Sequence, residues 1–159
     1  MNRRRKRLLG LLLVSGGIGI VAKFFVSPFL VVGESMTPTL ANQELCLVSK
    51  FPQYEPRRGD IVVFRTSNRP PLRFVKRVVA LPGETLAIQH GVVKINGTPV
   101  PEPYTTVNAD WELPPTVVPA EKVYVIGDNR TVSMDDTLHG LVATHLVEAR
   151  LLAHWRWRR

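Results

Sequence analysis

The sequence predicts a mainly β protein, a compact antiparallel β-sheet domain joined to one amino-terminal transmembrane helix. Two observations support this fold class. A basic run and an apolar stretch open the chain, and the remainder breaks into short apolar runs separated by proline and glycine. Short β-rich runs with turn residues between them are typical of all-β domains. A chain of 159 residues has room for one such domain and an anchor.

The amino-terminal segment has the layout of an uncleaved membrane anchor. Residues 1–7 include five consecutive basic residues and are predicted to form a cytoplasmic tail, because basic flanks stay on that side of a membrane. Residues 8–27 are mostly apolar and are predicted to form the transmembrane helix. We expect the ammonium of Lys23 to reach the far interface and Pro28 to end the helix. The alternative is a buried helix of a soluble protein.

The charge distribution favours a lipid bilayer over nucleic acid as a partner. The net charge is +8, but eight of the 21 basic residues lie within residues 3–7 and 156–159, and the remaining 13 balance the 13 acidic residues. The body of the chain is neutral by count, so no nucleic-acid partner is expected. Residues 154–159 mix tryptophan with arginine and are predicted to form a basic aromatic tail on the bilayer. A disordered solubilising tail is the alternative.

Residues 28–153 form the predicted β-rich domain. Apolar runs predict six strands, at residues 44–49, 61–66, 72–80, 85–89, 92–95 and 123–126. His90-Gly91, between two of these runs, predicts a hairpin. Six prolines between Pro99 and Pro119 predict an extended connection with little regular structure. Residues 144–153 are expected to form a short helix.

Cysteine and histidine usage offers no metal site. Cys46 is the only cysteine, so an intrachain disulfide and a cysteine-based zinc site are excluded. The four histidines show no ligand spacing such as His-Glu-x-x-His. No metal is expected.

A lysine in an apolar strand is a candidate general base. Side chains alternate between the faces of a strand, so Lys76 shares a face with Phe74 and Val78. Desolvation lowers the pKa of an amine from about 10.4, and the neutral amine accepts a proton. The neighbouring Arg77 does not fit this role, because a guanidinium stays charged in proteins. The alternative is that Lys76 extends into solvent from a sheet edge.

Ser35 is the candidate nucleophile. It lies in Gly33-Glu34-Ser35-Met36-Thr37-Pro38, directly after the apolar segment, where a turn at Pro38 presents its hydroxyl. A serine hydroxyl needs an adjacent base, and the backbone N–H of Ser35 is a candidate donor to the oxyanion of a tetrahedral intermediate. Alone, this stretch also fits an ordinary turn before a strand.

A second candidate segment follows the apolar run that ends at Ile126. Gly127-Asp128-Asn129-Arg130 is typical of a tight turn after a strand. Beyond it, Ser133 and Asp135 are candidates to hydrogen-bond and orient the lysine. Solvated loop residues are the alternative.

Four blocks, residues 33–40, 58–63, 74–84 and 127–130, resemble in order and spacing those of the type I signal peptidases. These are membrane-anchored Ser/Lys endopeptidases that include the mitochondrial inner membrane proteases. The resemblance implies a β-sheet peptidase domain without cofactors that removes N-terminal signal peptides from exported preproteins. It implies that Ser35 is the nucleophile and Lys76 the general base. Ser133 is then the hydrogen-bonding partner of the lysine and Asp135 the acidic member of a structural turn, with Asp128 and Arg130 in support.

Substrates of this family carry small residues at the first and third positions before the cleavage site. Shallow apolar pockets of the enzyme bind these two residues. Carried over by position, the pocket candidates are Phe29, Val31, Val32, Met36, Leu40, Phe74 and Val75. Ordinary core packing is the alternative interpretation of these residues.

The chain departs from the family pattern at two places. Asp136-Thr137 replace the family's Ser-Arg, so the arginine expected to pair with Asp135 is missing, and Arg130 is a candidate substitute. Gly33 stands where some members place a serine hydroxyl in the oxyanion hole, which implies one fewer side-chain donor.

Two other functions fit parts of the sequence. One is a self-cleaving Ser/Lys protein like the LexA-type repressors, which share a Ser-Met motif and a lysine strand. The other is a catalytically silent membrane-anchored β module that binds export partners. The preferred setting is a bacterial plasma membrane crossed once, with the amino terminus cytoplasmic and the catalytic domain exported. The mitochondrial inner membrane is the alternative, and the need for a partner subunit stays open.

Overall fold

The computed structural model describes residues 25–50, 54–105, 111–131, 133–135 and 138–155. Within these ranges the chain forms eleven strands and one 3-10 turn, at Thr144–Leu146. The strands are β1 Val26–Leu30, β2 Leu45–Ser49, β3 Ile61–Arg65, β4 Arg73–Ala80, β5 Thr85–Gln89, β6 Val92–Ile95, β7 Thr98–Pro99, β8 Leu113–Val117, β9 Lys122–Ile126, β10 Gly140–Ala143 and β11 Val147–Trp155. The predicted mainly β class is confirmed.

The strands form two antiparallel sheets. The larger has seven strands in the order β1-β2-β11-β3-β4-β9-β10, and the smaller has four in the order β7-β6-β5-β8. Neighbouring strands in both sheets run antiparallel. β4 therefore lies inside the larger sheet, between β3 and β9, which is the position that decides the surroundings of Lys76.

Apolar side chains cover both faces of the larger sheet. One cluster, centred on Val62, Val78 and Val125, packs against one face, and a second, which includes Ile61 and Val75, packs against the other. A third cluster joins the end of β4 and β9 to the smaller sheet. Since β4 is covered on both faces, seven of its eight residues are shielded at least in part. The continuous apolar run in the sequence follows from this two-sided burial.

The six predicted strands are confirmed, each with boundaries within one residue of the observed ones. The predicted hairpin is also present, because β5 pairs with β6 from Leu86↔Ile95 to Gln89↔Val92. His90 and Gly91 form its turn with φ values of +51° and +74°. Two successive positive φ angles are those of the two-residue turn that matches strand twist.

The prediction of a helix at residues 144–153 is wrong. The 3-10 turn is followed by β11, which pairs with β2 on one side and β3 on the other. The helix-favouring residues of this segment are overridden because β11 satisfies the backbone N–H and C=O groups that β2 and β3 direct toward it.

The segment from Pro99 to Pro119 is more regular than predicted. It contains β8, which carries Pro114 and Pro115 and pairs with β5 at the edge of the smaller sheet. An edge strand tolerates proline because one row of its backbone groups needs no ladder partner.

The predicted anchor falls almost wholly outside the described residues. Its predicted end is wrong, because Val26 and Ser27 belong to β1 and Pro28 lies within that edge strand. In the part of the chain that the structure describes, no helix has the length and apolar character needed to cross a membrane. At the other end, His154 and Trp155 belong to β11 rather than to a tail, and residues 156–159 are not described.

Candidate active site

Ser35 lies in a loop that connects β1 to β2 and that buried side chains hold in place. Met36 and Leu40 flank it with no exposed surface and pack in the same cluster as Val75 of β4. Within the loop, the backbone N–H of Thr37 donates to the Glu34 carbonyl at 3.0 Å. The residues around Ser35 are thus held by the packing of Met36 and Leu40 and by the turn hydrogen bond from Thr37 to Glu34.

Lys76 lies in the middle of β4, opposite Val62 of β3. Only 2% of its surface is exposed. Burial lowers the pKa of its ammonium to about 8, against an opposing contribution from the carboxylate of Asp128. The alternative in which this lysine extends into solvent is wrong, because β4 lies inside the sheet rather than at its edge.

Gly127 is the point at which Ser35 and Lys76 come together. It follows β9 directly, and a Cβ placed on it would lie 2.3 Å from the carbonyl oxygen of Ser35 and 3.2 Å from Nζ of Lys76. Only a residue without a side chain fits between these two groups. Within the described ranges, no hydrogen bond joins Nζ of Lys76 to Ser35 or Ser133. Catalytic hydrogen bonds are often loose without substrate.

Asp128 joins the loop of Ser35 to β4. Its carboxylate, which has no exposed surface, accepts hydrogen bonds from Nε of Arg77 at 2.8 Å and from Nη2 at 2.6 Å. It also accepts one from the hydroxyl of Thr39 at 2.5 Å. Because Lys76 precedes Arg77 and Thr39 follows Ser35 by four residues, this buried carboxylate fixes the spacing of the two candidate catalytic segments.

Arg130 does not substitute for the missing arginine partner of Asp135. Its guanidinium pairs instead with Glu102, at 2.7 Å between Nη2 and Oε1, and donates from Nε to the Gly127 carbonyl at 2.8 Å. Tyr104 donates to the same carboxylate at 2.9 Å and lies under the guanidinium of Arg77, 3.8 Å from ring centroid to Cζ. Glu102 and Tyr104 of the proline-rich connection therefore hold the turn at 127–130 in place through Arg130 and the neighbouring Arg77.

Ser133 and Asp135 form a small exposed turn. The backbone N–H of Asp135 donates to Oγ of Ser133 at 3.3 Å. The charges of Asp135 and Lys76 both act on His139: burial lowers the pKa of His139, Asp135 raises it, and Lys76 lowers it. The predicted role of Ser133 in orienting Nζ of Lys76 remains a prediction.

The predicted pocket residues divide into three groups. Four of them, Val31, Met36, Leu40 and Val75, pack together in one cluster, and Phe29 borders it. Phe74 lies on the opposite face, 6.1 Å from Phe64 between ring centroids, as strand alternation predicts. Val32 extends into solvent with 84% of its surface exposed. Their predicted role as walls of a substrate pocket remains a prediction.

The described residues hold no group of three or more histidine, cysteine, aspartate or glutamate side chains arranged to bind a metal ion. Cys46 is buried as a free thiol. Burial and the neighbouring Glu44 raise its pKa to about 11, so it stays a protonated thiol near neutral pH.

Several residues of the site were not identified from the sequence. They are Thr39, Glu102, Tyr104, Asn129 and His139. Arg77 was considered only as an unsuitable base, whereas in the structure it is the partner of Asp128. The one available signal was a charged pair, Lys76-Arg77, inside an otherwise apolar strand, since a buried guanidinium requires a counterion.

A buried lysine of lowered pKa beside the backbone of a serine-bearing loop, in an antiparallel β domain, indicates the class of hydrolases with a serine nucleophile and a lysine base. Comparisons with known proteins agree with this class. The profile of the family described as "Signal peptidase, peptidase S26" matches residues 4–157. The chain is 35% identical over 153 residues to a signal peptidase I of Leptolyngbya laminosa, which covers 87% of this chain and 75% of that protein. It is 37% identical over 129 residues to signal peptidase I S of Bacillus subtilis strain 168, covering 73% of this chain and 68% of that protein.

A crystal structure of a signal peptidase I from Enterococcus faecalis V583 aligns with 62% of this chain and 98% of its own, at 27% identity and a TM-score of 0.49. On the family profile and the relatives, the chain belongs to the signal peptidase family, peptidase S26.

Proposed function

We propose that this chain removes N-terminal signal peptides from exported preproteins at a membrane surface, with Ser35 as nucleophile and Lys76 as general base. Membership of the signal peptidase family supports the reaction and the substrate class. The observation that carries the assignment to these two residues is their convergence on Gly127, where a buried amine and the nucleophile segment are separated by the space of one missing side chain.

The two residues supply a complete reaction cycle. Oγ of Ser35 attacks the carbonyl carbon of the scissile peptide bond while the neutral amine of Lys76 takes the hydroxyl proton. The resulting ammonium returns that proton to the nitrogen of the leaving mature chain, and the carbon–nitrogen bond breaks to leave the signal peptide as an ester on Ser35. Water then attacks the ester with Lys76 again accepting a proton, and the proton returns to Oγ as the signal peptide leaves.

The burial of Lys76 explains how a lysine acts as a base near neutral pH. With the pKa at about 8, roughly one lysine in ten is neutral at pH 7, against fewer than one in a thousand at the ordinary value. Asp128 limits this effect because its charge favours the ammonium. The adjacent pairing of Asp128 with Arg77 reduces that opposition, since part of the carboxylate charge is matched by the guanidinium.

An exposed apolar row supports a position at the bilayer. Leu30 of β1, Leu45 of β2 and Trp155 of β11 are direct neighbours across three strands, and 51–55% of each remains exposed. Adjacent exposed apolar side chains mark a surface that contacts another apolar phase, and tryptophan favours the membrane interface. Val32, three residues before Ser35 in the chain, is 84% exposed. In this proposal the chain crosses a bacterial plasma membrane once, with residues 1–7 cytoplasmic and the β domain on the exported side.

The orientation is tested with the full chain in vesicles that contain brominated lipids, which quench nearby tryptophan. We expect part of the fluorescence to be quenched in the wild type and much of that quenching to disappear in Trp155→Phe. The buried Trp111 provides an internal reference, since only 3% of its surface is exposed. Identical quenching in both proteins would mean that this row does not touch the bilayer.

The reaction is tested by incubating a preprotein with the full-length wild type, Ser35→Ala and Lys76→Met. We expect cleavage by the wild type alone, with loss of at least about 10³-fold in each variant. Ser67→Ala and Lys94→Met are matched controls. Ser67 is exposed in the loop between β3 and β4, and Lys94 is half-buried in β6, so both variants should cleave normally. Equal cleavage by wild type and Ser35→Ala would end the proposal. A shortened enzyme with an intact preprotein would support the self-cleaving alternative instead.

A further inference from the structure

Asn129 holds the nucleophile loop at two consecutive carbonyl groups. Its backbone N–H donates to the carbonyl oxygen of Ser35 at 3.1 Å, and its side-chain Nδ2 donates to the carbonyl oxygen of Glu34 at 3.1 Å. A single residue from the turn after β9 therefore fixes the backbone on both sides of the Ser35 nitrogen. The Lys76 side chain lies beside the same turn, at Gly127.

Thr131 determines which way the Asn129 amide faces. Oδ1 of Asn129 accepts hydrogen bonds from the backbone N–H of Thr131 at 3.0 Å and from its hydroxyl at 2.6 Å. The amide oxygen is the acceptor in both contacts with donors, so the amide nitrogen must be the atom that faces Glu34. The donor is held in place by the turn and not by the loop that it binds.

The anchored carbonyl of Glu34 sets the direction of the next N–H group. Glu34 O also accepts from the backbone N–H of Thr37 at 3.0 Å, so two donors hold it. The peptide bond between Glu34 and Ser35 is trans, in which the C=O and the N–H point to opposite sides. The N–H of Ser35 thus points away from Asn129, and within the described ranges it makes no hydrogen bond.

We infer that Asn129 is a positioning residue that orients the backbone N–H of Ser35 toward the oxygen of the scissile carbonyl. Developing negative charge on that oxygen is stabilised when a donor is already aimed at it, because no reorganisation is then needed during the reaction. The inference rests on the proposed function. Asn129 acts through the Glu34–Ser35 peptide and contacts neither substrate nor the reacting atoms. With Gly33 in place of a hydroxyl-bearing residue in this loop, the orientation of this one backbone donor gains importance.

The test compares Asn129→Asp and Asn129→Ala with the wild type, in full-length protein and with a preprotein substrate. Aspartate keeps the acceptor for Thr131 but presents an oxygen to Glu34 O, and alanine removes both contacts. We expect kcat to fall about 30-fold in each with KM changed less than about twofold, a smaller loss than the 10²–10³-fold that follows removal of an oxyanion donor. Rates are taken at pH 9.5 or above, on the plateau where Lys76 is neutral, so that an added charge does not act through the lysine pKa.

Asn96→Asp is the matched control. Asn96 also accepts a backbone hydrogen bond through Oδ1, from Thr85 at 2.8 Å, but it lies in the turn after β6, in the smaller sheet. The same change of an amide to a carboxylate there should leave kcat within twofold of the wild type. A peptide aldehyde supplies a second readout, because its tetrahedral adduct with Ser35 uses the same donor. Its affinity should fall in parallel with kcat/KM in the Asn129 variants.

Folded Asn129 variants with kcat within twofold of the wild type would overturn the inference. A change confined to KM or to the thermal midpoint would also overturn it, if the affinity for the aldehyde changes no more than the affinity for the substrate. A purely structural role of Asn129 predicts that pattern. Failure of the proposed function is separate: it would appear as full activity in Ser35→Ala, whatever the Asn129 variants do.

Discussion

Asp128 accepts hydrogen bonds from Arg77 with both carboxylate oxygens, at 2.8 Å from Nε and 2.6 Å from Nη2, although the two side chains are almost completely buried. Each belongs to a segment next to a proposed catalytic group: Arg77 follows Lys76 in β4, and Asp128 follows Gly127. The ion pair therefore fixes how β4 and the turn after β9 lie against each other. Its cost in desolvation is offset by two charge-assisted hydrogen bonds and by the Thr39 hydroxyl.

Breaking this pair from one side should destabilise the fold strongly. Asp128→Asn leaves the Arg77 guanidinium buried without a full counterion, and we expect the free energy of unfolding to fall by about 3–5 kcal/mol. Urea denaturation in detergent micelles measures it. Arg77→Met combined with Asp128→Leu should recover much of the loss, because neither charge is then buried. A double variant no more stable than Asp128→Asn would contradict this account.

Activity should rise with pH through about 8. The base is the neutral form of Lys76, so activity is low below its pKa, where the ammonium dominates, and full above it. The pH dependence of kcat/KM measures this limb. Folded Asp128→Asn protein should show the limb at lower pH, since Asp128 raises the lysine pKa. A limb below pH 6.5 would point instead to His139, whose pKa burial lowers from 6.5.

Lys76→Met should stabilise the protein while it abolishes activity. A pKa lowered from 10.5 to about 8 means that the folded state disfavours the ammonium by on the order of 3 kcal/mol at neutral pH. Below pH 8 this penalty is complete, and between about 8 and 10.5 it disappears, because the unfolded state binds the proton that the folded state has lost. The stability difference between variant and wild type should therefore shrink over that pH window. Urea denaturation at pH 7 and pH 10.5 provides the measurement, and a difference that is independent of pH would contradict it.

A methyl group at Gly127 should nearly abolish activity. It would lie 2.3 Å from the Ser35 carbonyl oxygen, closer than any real carbon contact, so the loop or the lysine must move. We expect kcat of Gly127→Ala to fall by about 10²-fold or more, as misplacement of reacting groups by about 1 Å can cause. Gly97→Asn is the control, since its Cβ meets open space and asparagine tolerates the φ of +80° there. A fully active Gly127→Ala variant would mean that the two groups do not meet at this residue.

Local sequence patterns predicted the strands that are apolar on one or both faces. They did not predict the segments whose conformation depends on pairing with distant strands. β4 and β9 were identified because a short, continuous apolar run between turn residues is typical of a buried strand. β11 was predicted as a helix because its residues favour one, and its strand conformation comes from the ladders with β2 and β3 on either side. β1 was assigned in part to the anchor for a similar reason: an apolar stretch has the same composition in lipid and in a sheet.

The sequence by itself determined the mainly β class and the two residues proposed to carry the chemistry, because the residue types and apolar runs around Ser35 and Lys76 are local properties of the chain. Only the tertiary structure decided that Lys76 is dry enough for a lowered pKa, that Arg130 pairs with Glu102, and that Asn129 reaches the Ser35 loop. These contacts join residues up to 95 positions apart. Distance along the chain says nothing about them, since they depend on how strands order themselves in a sheet and on which buried charges find partners there.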